Sequence, residues 1–101
     1  MASNASCTVT TTAAQIIPAA IGFPRLYLKL TNVSPAGSGS IWVSHLTATP
    51  APNVAGSIEL PPGVSLEFNG PQDQNGRHYV PQEAYAAVAS SGTLQLTAEY
   101  A

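Results

Sequence analysis

Apolar residues recur at every second position in short runs, each closed by a cluster of Gly, Pro, Ser or Asn, and this alternation does most to limit the folds open to the chain. From Arg25 to Thr31, Leu26, Leu28 and Leu30 alternate with Tyr27, Lys29 and Thr31. Val64, Leu66 and Phe68 alternate with Ser65 and Glu67, and Leu94, Leu96 and Ala98 with Gln95, Thr97 and Glu99. Successive side chains of a strand point to opposite faces, so each run buries one face and leaves the other to solvent. Further runs are Thr8 to Ile17, rich in β-branched residues and closed by Pro18; Ile41 to Thr49, with Ile41 and Val43 facing away from Trp42; Ser57 to Leu60; and Tyr85 to Ser90. The last has some helical propensity, but Gly92 ends it quickly and a strand is expected. No stretch of about ten residues carries a 3.6-residue apolar stripe. The segments NVSPAGSGS (32–40), Pro61-Pro62-Gly63 and NGPQDQNGR (69–77) are turn chemistry throughout. The spacing predicts an all-β chain: a single small antiparallel β-sandwich, jelly-roll-like, of about six or seven short strands. Residues 15–101 would form this domain, and residues 1–14 an extended N-terminal arm.

A chain of 101 residues and 10.4 kDa has room for one core, and domains near this size bury only about two-thirds of their unfolded surface. Cys7 is the sole cysteine, so no internal disulfide can add stability; near the N-terminus, it is expected outside the core. Hydrophobic residues make up 45% of the chain, against three cationic and five acidic residues. That balance points to apolar surface covered by oligomerisation or by docking on a partner. Three cations neutralise too few phosphates for direct nucleic-acid binding. The opening MASNASCTVTTTAAQ has neither the basic region nor the apolar region of a signal peptide, and no run approaches the roughly 18 apolar residues of a membrane span. Synthesis and folding in a cytoplasm are expected.

The chemistry-bearing residues do not converge on a motif. A hydrolytic triad needs a nucleophile, a His and a carboxylate together; His45, His78 and Asp73 are available, but no Ser occupies a nucleophile elbow. Glu59 and Glu67 would be neighbours if their strands formed a hairpin about Pro61-Pro62-Gly63, the pairing a glycosidase requires, yet both sit at outward positions of their runs. One Cys and two distant His make no zinc set, and the loop holding Asn69, Asp73 and Asn75 lacks the acid density of a calcium loop. No catalytic residue, metal or cofactor is expected, and the chain reads as a non-enzyme. Tyr27 and Trp42 point away from the apolar faces of their strands and could form a partner-facing patch, since such rings are common interface anchors; the alternatives are cover by a loop of the same chain, or a sugar-stacking platform. Thr8, Val9 and Thr10, within the proposed arm, suit strand addition to a partner's sheet edge.

The succession RLYLKLTNVS, a small-residue loop, SIWVS, GSIELPPG, VSLEF and AYAAVASSGTLQLTAEY resembles small virion proteins of tailed bacteriophages, the capsid decoration or cement type. The matching positions are Arg25, Leu28, Asn32, Ser34, Ile41, Val43, Gly56, Leu60, Pro62, Gly63, Phe68, Tyr85, Ala86, Gly92, Leu94 and Glu99. They cover roughly residues 25–100 and leave residues 1–14 unmatched. The resemblance implies a virion component bound to the outside of the shell, with the major capsid protein and further copies of itself as partners, a trimer being favoured. Its location would be the capsid surface, after assembly in the host cytoplasm. A carbohydrate- or receptor-binding β module of a tail or fibre base is the alternative.

Overall fold

Among the described residues the alternating runs become eight strands: β1 (Ser3–Val9), β2 (Ala14–Ile17), β3 (Tyr27–Asn32), β4 (Ile41–His45), β5 (Ile58–Leu60), β6 (Ser65–Asn69), β7 (Tyr85–Ala89) and β8 (Leu94–Tyr100). The structure, a computed structural model, describes all residues except 1, 2, 46–48, 72, 73 and 78. Two four-stranded antiparallel sheets form, in the orders β1-β8-β3-β6 and β2-β7-β4-β5. The pairing has a simple origin, because the chain is one long hairpin folded back on itself. Ser3 lies opposite Tyr100, Ala14 opposite Ala87, Tyr27 opposite Asn69 and Ile41 opposite Leu60. The hairpin is then rolled, so that β3 also meets β8 (Leu30 opposite Ala98) and β4 meets β7 (Val43 opposite Ala87). Rolling a hairpin into two sheets in this order is a jelly roll, as the sequence pattern predicts, with eight strands where about six or seven were expected.

The core is what the alternation dictates. Leu28 and Leu30 of β3, Ile41 and Val43 of β4, and Leu94, Leu96 and Ala98 of β8 are buried between the sheets with Ile17, Leu60, Val80 and Tyr85. Each fully buried side chain of this size contributes about 1.5–3 kcal/mol. Phe68 and Leu66, on edge strand β6, pack against that cluster while half-buried. Leu26, expected beside Leu28, is half exposed because β3 starts after it. Val64 is exposed for the same reason at the start of β6.

The N-terminal third departs most from expectation. The run Thr8 to Ile17 is not one strand: β1 ends at Val9, the chain crosses to the other sheet, and β2 begins at Ala14. The crossing is tied where the Thr10 carbonyl accepts a bond from the Ala89 amide at 2.8 Å. The Thr10 hydroxyl accepts from the Thr12 amide at 3.3 Å, a local side-chain bond that competes with the extended ladder. The segment expected as an arm is therefore, over Ser3–Val9, an edge strand paired along its length with β8. Its hold is apolar: Val9 is 3% exposed and belongs to the core, and Cys7, expected outside it, packs against it half-buried.

Pro61-Pro62-Gly63 forms the expected tight turn, with the Val64 amide donating to the Pro61 carbonyl at 3.0 Å and Gly63 at a φ of 81° that a side chain would oppose. It carries the chain from one sheet to the other instead of closing a hairpin. Asn32, fully buried, fastens it. Asn32 Nδ2 donates to the carbonyls of Leu60 (2.8 Å) and Gly39 (3.2 Å), its Oδ1 accepts from the Ser34 amide (3.0 Å), and its own carbonyl accepts from the Gly63 amide (2.7 Å). By urea denaturation Leu28→Ala and Leu96→Ala should each cost about 2–5 kcal/mol through the cavities they open. Asn32→Ala should cost about 1–3 kcal/mol, because it strands buried carbonyls. A loss near zero for either leucine would contradict the burial described.

Candidate interaction surface

Between β2 and β3 the sequence PAAIGFP (18–24) belongs to no alternating run, and residues 18–26 pair in no sheet. Pro18, without an amide hydrogen, stops β2, and Gly22, at a φ of 86°, sits in a bend of the chain. The loop is held by Arg25, which is only 4% exposed. Arg25 Nη1 donates to the carbonyls of Pro81 (2.7 Å) and Glu83 (3.2 Å), and Nη2 donates to that of Pro18 (2.7 Å). The guanidinium also stands over the Tyr100 ring, 5.7 Å from its centre. Gln82 completes the clasp: its Oε1 accepts from the Arg25 amide (2.6 Å), and its Nε2 donates to the carbonyls of Arg25 (2.8 Å) and Val80 (2.7 Å). Burial lowers the Arg25 pKa, and Tyr100, Tyr85 and Glu83 oppose that shift. A buried guanidinium is tolerable only when its donors are satisfied, and the ring face adds a further favourable contact.

The clasp sets two large apolar side chains outward: Ile21 is 89% exposed and Phe23 is 91% exposed. Scattered exposed hydrophobes are ordinary. Ile21 and Phe23, on either side of Gly22, form an exposed apolar tip on the loop that Arg25 fastens. Beside them opens a cleft of about 430 Å³, lined by Pro18, Ala20, Tyr100 and Ala101.

The residues expected at an interface are spread over the molecule. Tyr27 lies on the outer face of the first sheet, where its hydroxyl donates to Glu67 at 2.9 Å, and that bond, before burial or charge, raises its pKa. Trp42 is half-buried on the outer face of the second sheet, between Glu59 and Val88 on neighbouring strands. The two rings thus look away from each other and cannot form one patch, because consecutive strands β3 and β4 belong to different sheets. Thr8 and Thr10 are exposed, whereas Val9 is in the core and unavailable to a partner. Glu59 and Glu67 are also on different sheets: Glu59 accepts from the Ser40 hydroxyl at 2.6 Å and Glu67 from Tyr27. Asp73 and His78 lie outside the described residues, as does the side chain of His45. Among the described residues no group of His, Cys, Asp or Glu could hold a metal ion. Reading the sequence missed Arg25 as a buried clasp and the tip it holds; the available signal was IGF bracketed by Pro18 and Pro24, two large apolar residues belonging to no alternating run.

The arrangement defines the class: an eight-stranded jelly-roll β-sandwich with a clasped apolar loop at one end. No protein-family model matches the chain, and no curated protein matches it in sequence. A solved structure from Bacillus endospore appendages, described as a novel family of disulfide-linked pili, is similar with a TM-score of 0.50, over 99% of this chain and 84% of that one. At 18% identity the likeness shows a shared fold and nothing finer.

Tyr85, fully buried near the clasp, has its pKa pushed up to about 12, chiefly by burial, with Glu83 adding and Arg25 opposing. The folded state therefore favours the neutral phenol. This contribution to stability is complete below the ordinary value of 10.0 and is lost as pH rises through about 12. Unfolding free energy should fall across that window, and Tyr85→Phe should flatten the fall. An unchanged slope in the variant would contradict the assignment to Tyr85.

Proposed function

We propose that the chain is a non-enzymatic structural protein of a tailed-phage virion, a decoration protein that binds the outside of the capsid shell and stabilises it against the major capsid protein's dissociation. The observation carrying this reading is the exposed apolar tip, Ile21 and Phe23, on a sandwich with few charges of its own. Support comes also from the resemblance over roughly residues 25–100, from the use of jelly rolls in viral capsids, and from a structural neighbour that is itself a pilus. The physical logic is linkage: a protein that binds assembled shell but not free subunits shifts the equilibrium towards assembly. Contact through apolar groups is less sensitive to salt than contact through ion pairs, which suits a chain with three cations. Further copies of the chain would be its second class of partner. The alternative, a carbohydrate- or receptor-binding module, needs aromatic rings and polar groups in one groove, and Tyr27 and Trp42 stand on opposite outer faces.

The test is a titration of bare capsid shells from the phage encoding this protein. The double variant Ile21→Ser, Phe23→Ser should need at least about tenfold more protein for half-occupancy, since each apolar side chain left unburied forfeits about 1.5–3 kcal/mol. Its thermal midpoint should match that of the parent, because neither side chain touches the core. Equal occupancy curves would overturn the reading.

A further inference from the structure

Each sheet ends in two edge strands, and the four edges differ in how far they are shielded from pairing with another chain. β2 is four residues long, shifts register between Gln15 and Ile17, and stops at Pro18. β5 has three residues, carries Glu59, and runs into Pro61-Pro62. β6 carries Glu67 at its centre and leads into Asn69-Gly70-Pro71. Shortness, a bulge, a charge and a proline each discourage edge-to-edge pairing. β1 has none of these: it is seven residues long, without charged side chain or proline, and in unbroken register with β8 from Ser3 opposite Tyr100 to Val9 opposite Leu94. Among the described residues no strand lies along its other side.

We infer that β1 is an interface strand whose occupant is β1 of a second copy, antiparallel about a two-fold axis, joining the first sheets of two molecules into one continuous sheet. The shielding selects the occupant. Pairing β1 with a different edge of another copy would use β2, β5 or β6, each of which carries a feature that opposes it. β6 paired with itself about its middle residue would set Glu67 against Glu67. β1 paired with itself opposes no charged side chains, and its faces match. About Cys7, Ala5 falls opposite Val9 on the core side, and the exposed Ser6 opposite the exposed Thr8 on the outer side. The same contact lies beside a cleft of about 250 Å³ between β1 and β2, lined by Cys7, Thr8 and Ile16. This pairing is independent of what the Ile21–Phe23 tip binds, and it produces a two-fold dimer in place of the trimer implied by the resemblance.

The test is sedimentation equilibrium of the full chain, with amide hydrogen exchange at low and high concentration. The parent should sediment as a dimer of the 10.4 kDa chain, and exchange in β1 should slow as the dimer fills while exchange in β6 stays constant. The double variant Ser6→Lys, Thr8→Lys changes only exposed positions and sets ammonium groups opposite each other across the two-fold. It should raise the dimer dissociation constant at least about tenfold while leaving the monomer's thermal midpoint unchanged. Glu67→Ala should leave the dimer as it is. A monomer at all concentrations, a trimer, or a dimer that ignores the lysine pair would overturn the inference.

Discussion

β3 is bracketed by two buried polar side chains, and the closure of the sandwich at each end depends on them. Arg25, two residues before β3, fastens one of the first sheet's two central strands to the carbonyls of Pro18, Pro81 and Glu83. Asn32, its last residue, fastens it to those of Leu60 and Gly39. In both cases the partners lie in segments that enter or leave the second sheet, so the two residues work as clasps between layers. Burying a charge costs several kcal/mol unless it is fully paired, and Arg25 offsets that cost with three carbonyl bonds and a ring face. One of only three cations in the chain is thus used inside the protein and not on its surface.

How much of this was legible follows from which residues carry the signal. Leu28 and Leu30, Ile41 and Val43, and Leu94, Leu96 and Ala98 announce their strands because each alternates large apolar with polar residues, and their burial follows from period two alone. β1 and β2 were harder to see. Ser, Thr, Ala and Cys differ too little in polarity to show a buried face, so Val9 read as a surface residue and the crossover at 10–13 vanished inside a β-branched run. The aromatic patch failed for a topological reason: alternation places Tyr27 and Trp42 on the outer faces of their strands, but only the order β1-β8-β3-β6 and β2-β7-β4-β5 puts those faces on opposite sides of the molecule. Arg25 at the head of a strand pattern looks like an ordinary solvated charge. Its burial depends on Pro18, Pro81 and Glu83, which come to it from segments distant in sequence.

The same clasps bear on the proposed role. The loop that exposes Ile21 and Phe23 is tied at its two ends, at Pro18 and Ala20 and at Arg25, and ordering done during folding need not be done at docking. Edge pairing through β1 and contact through the tip use different residues, Ser3–Val9 and Ile21 with Phe23. Neither contact leans on charge, in keeping with a chain that has three cationic and five acidic residues.

Amide hydrogen exchange on Arg25→Met tests the clasp most directly. The Ala20 amide, bonded to the Gln82 carbonyl, and the Leu26 amide, bonded to that of Ala101, should lose protection together by at least about tenfold as the loop opens locally. The Gly63 amide, at the Asn32 end, and the amides in the middle of β8 should keep theirs. Unchanged protection at Ala20 and Leu26, or an equal loss throughout the sandwich, would contradict the account.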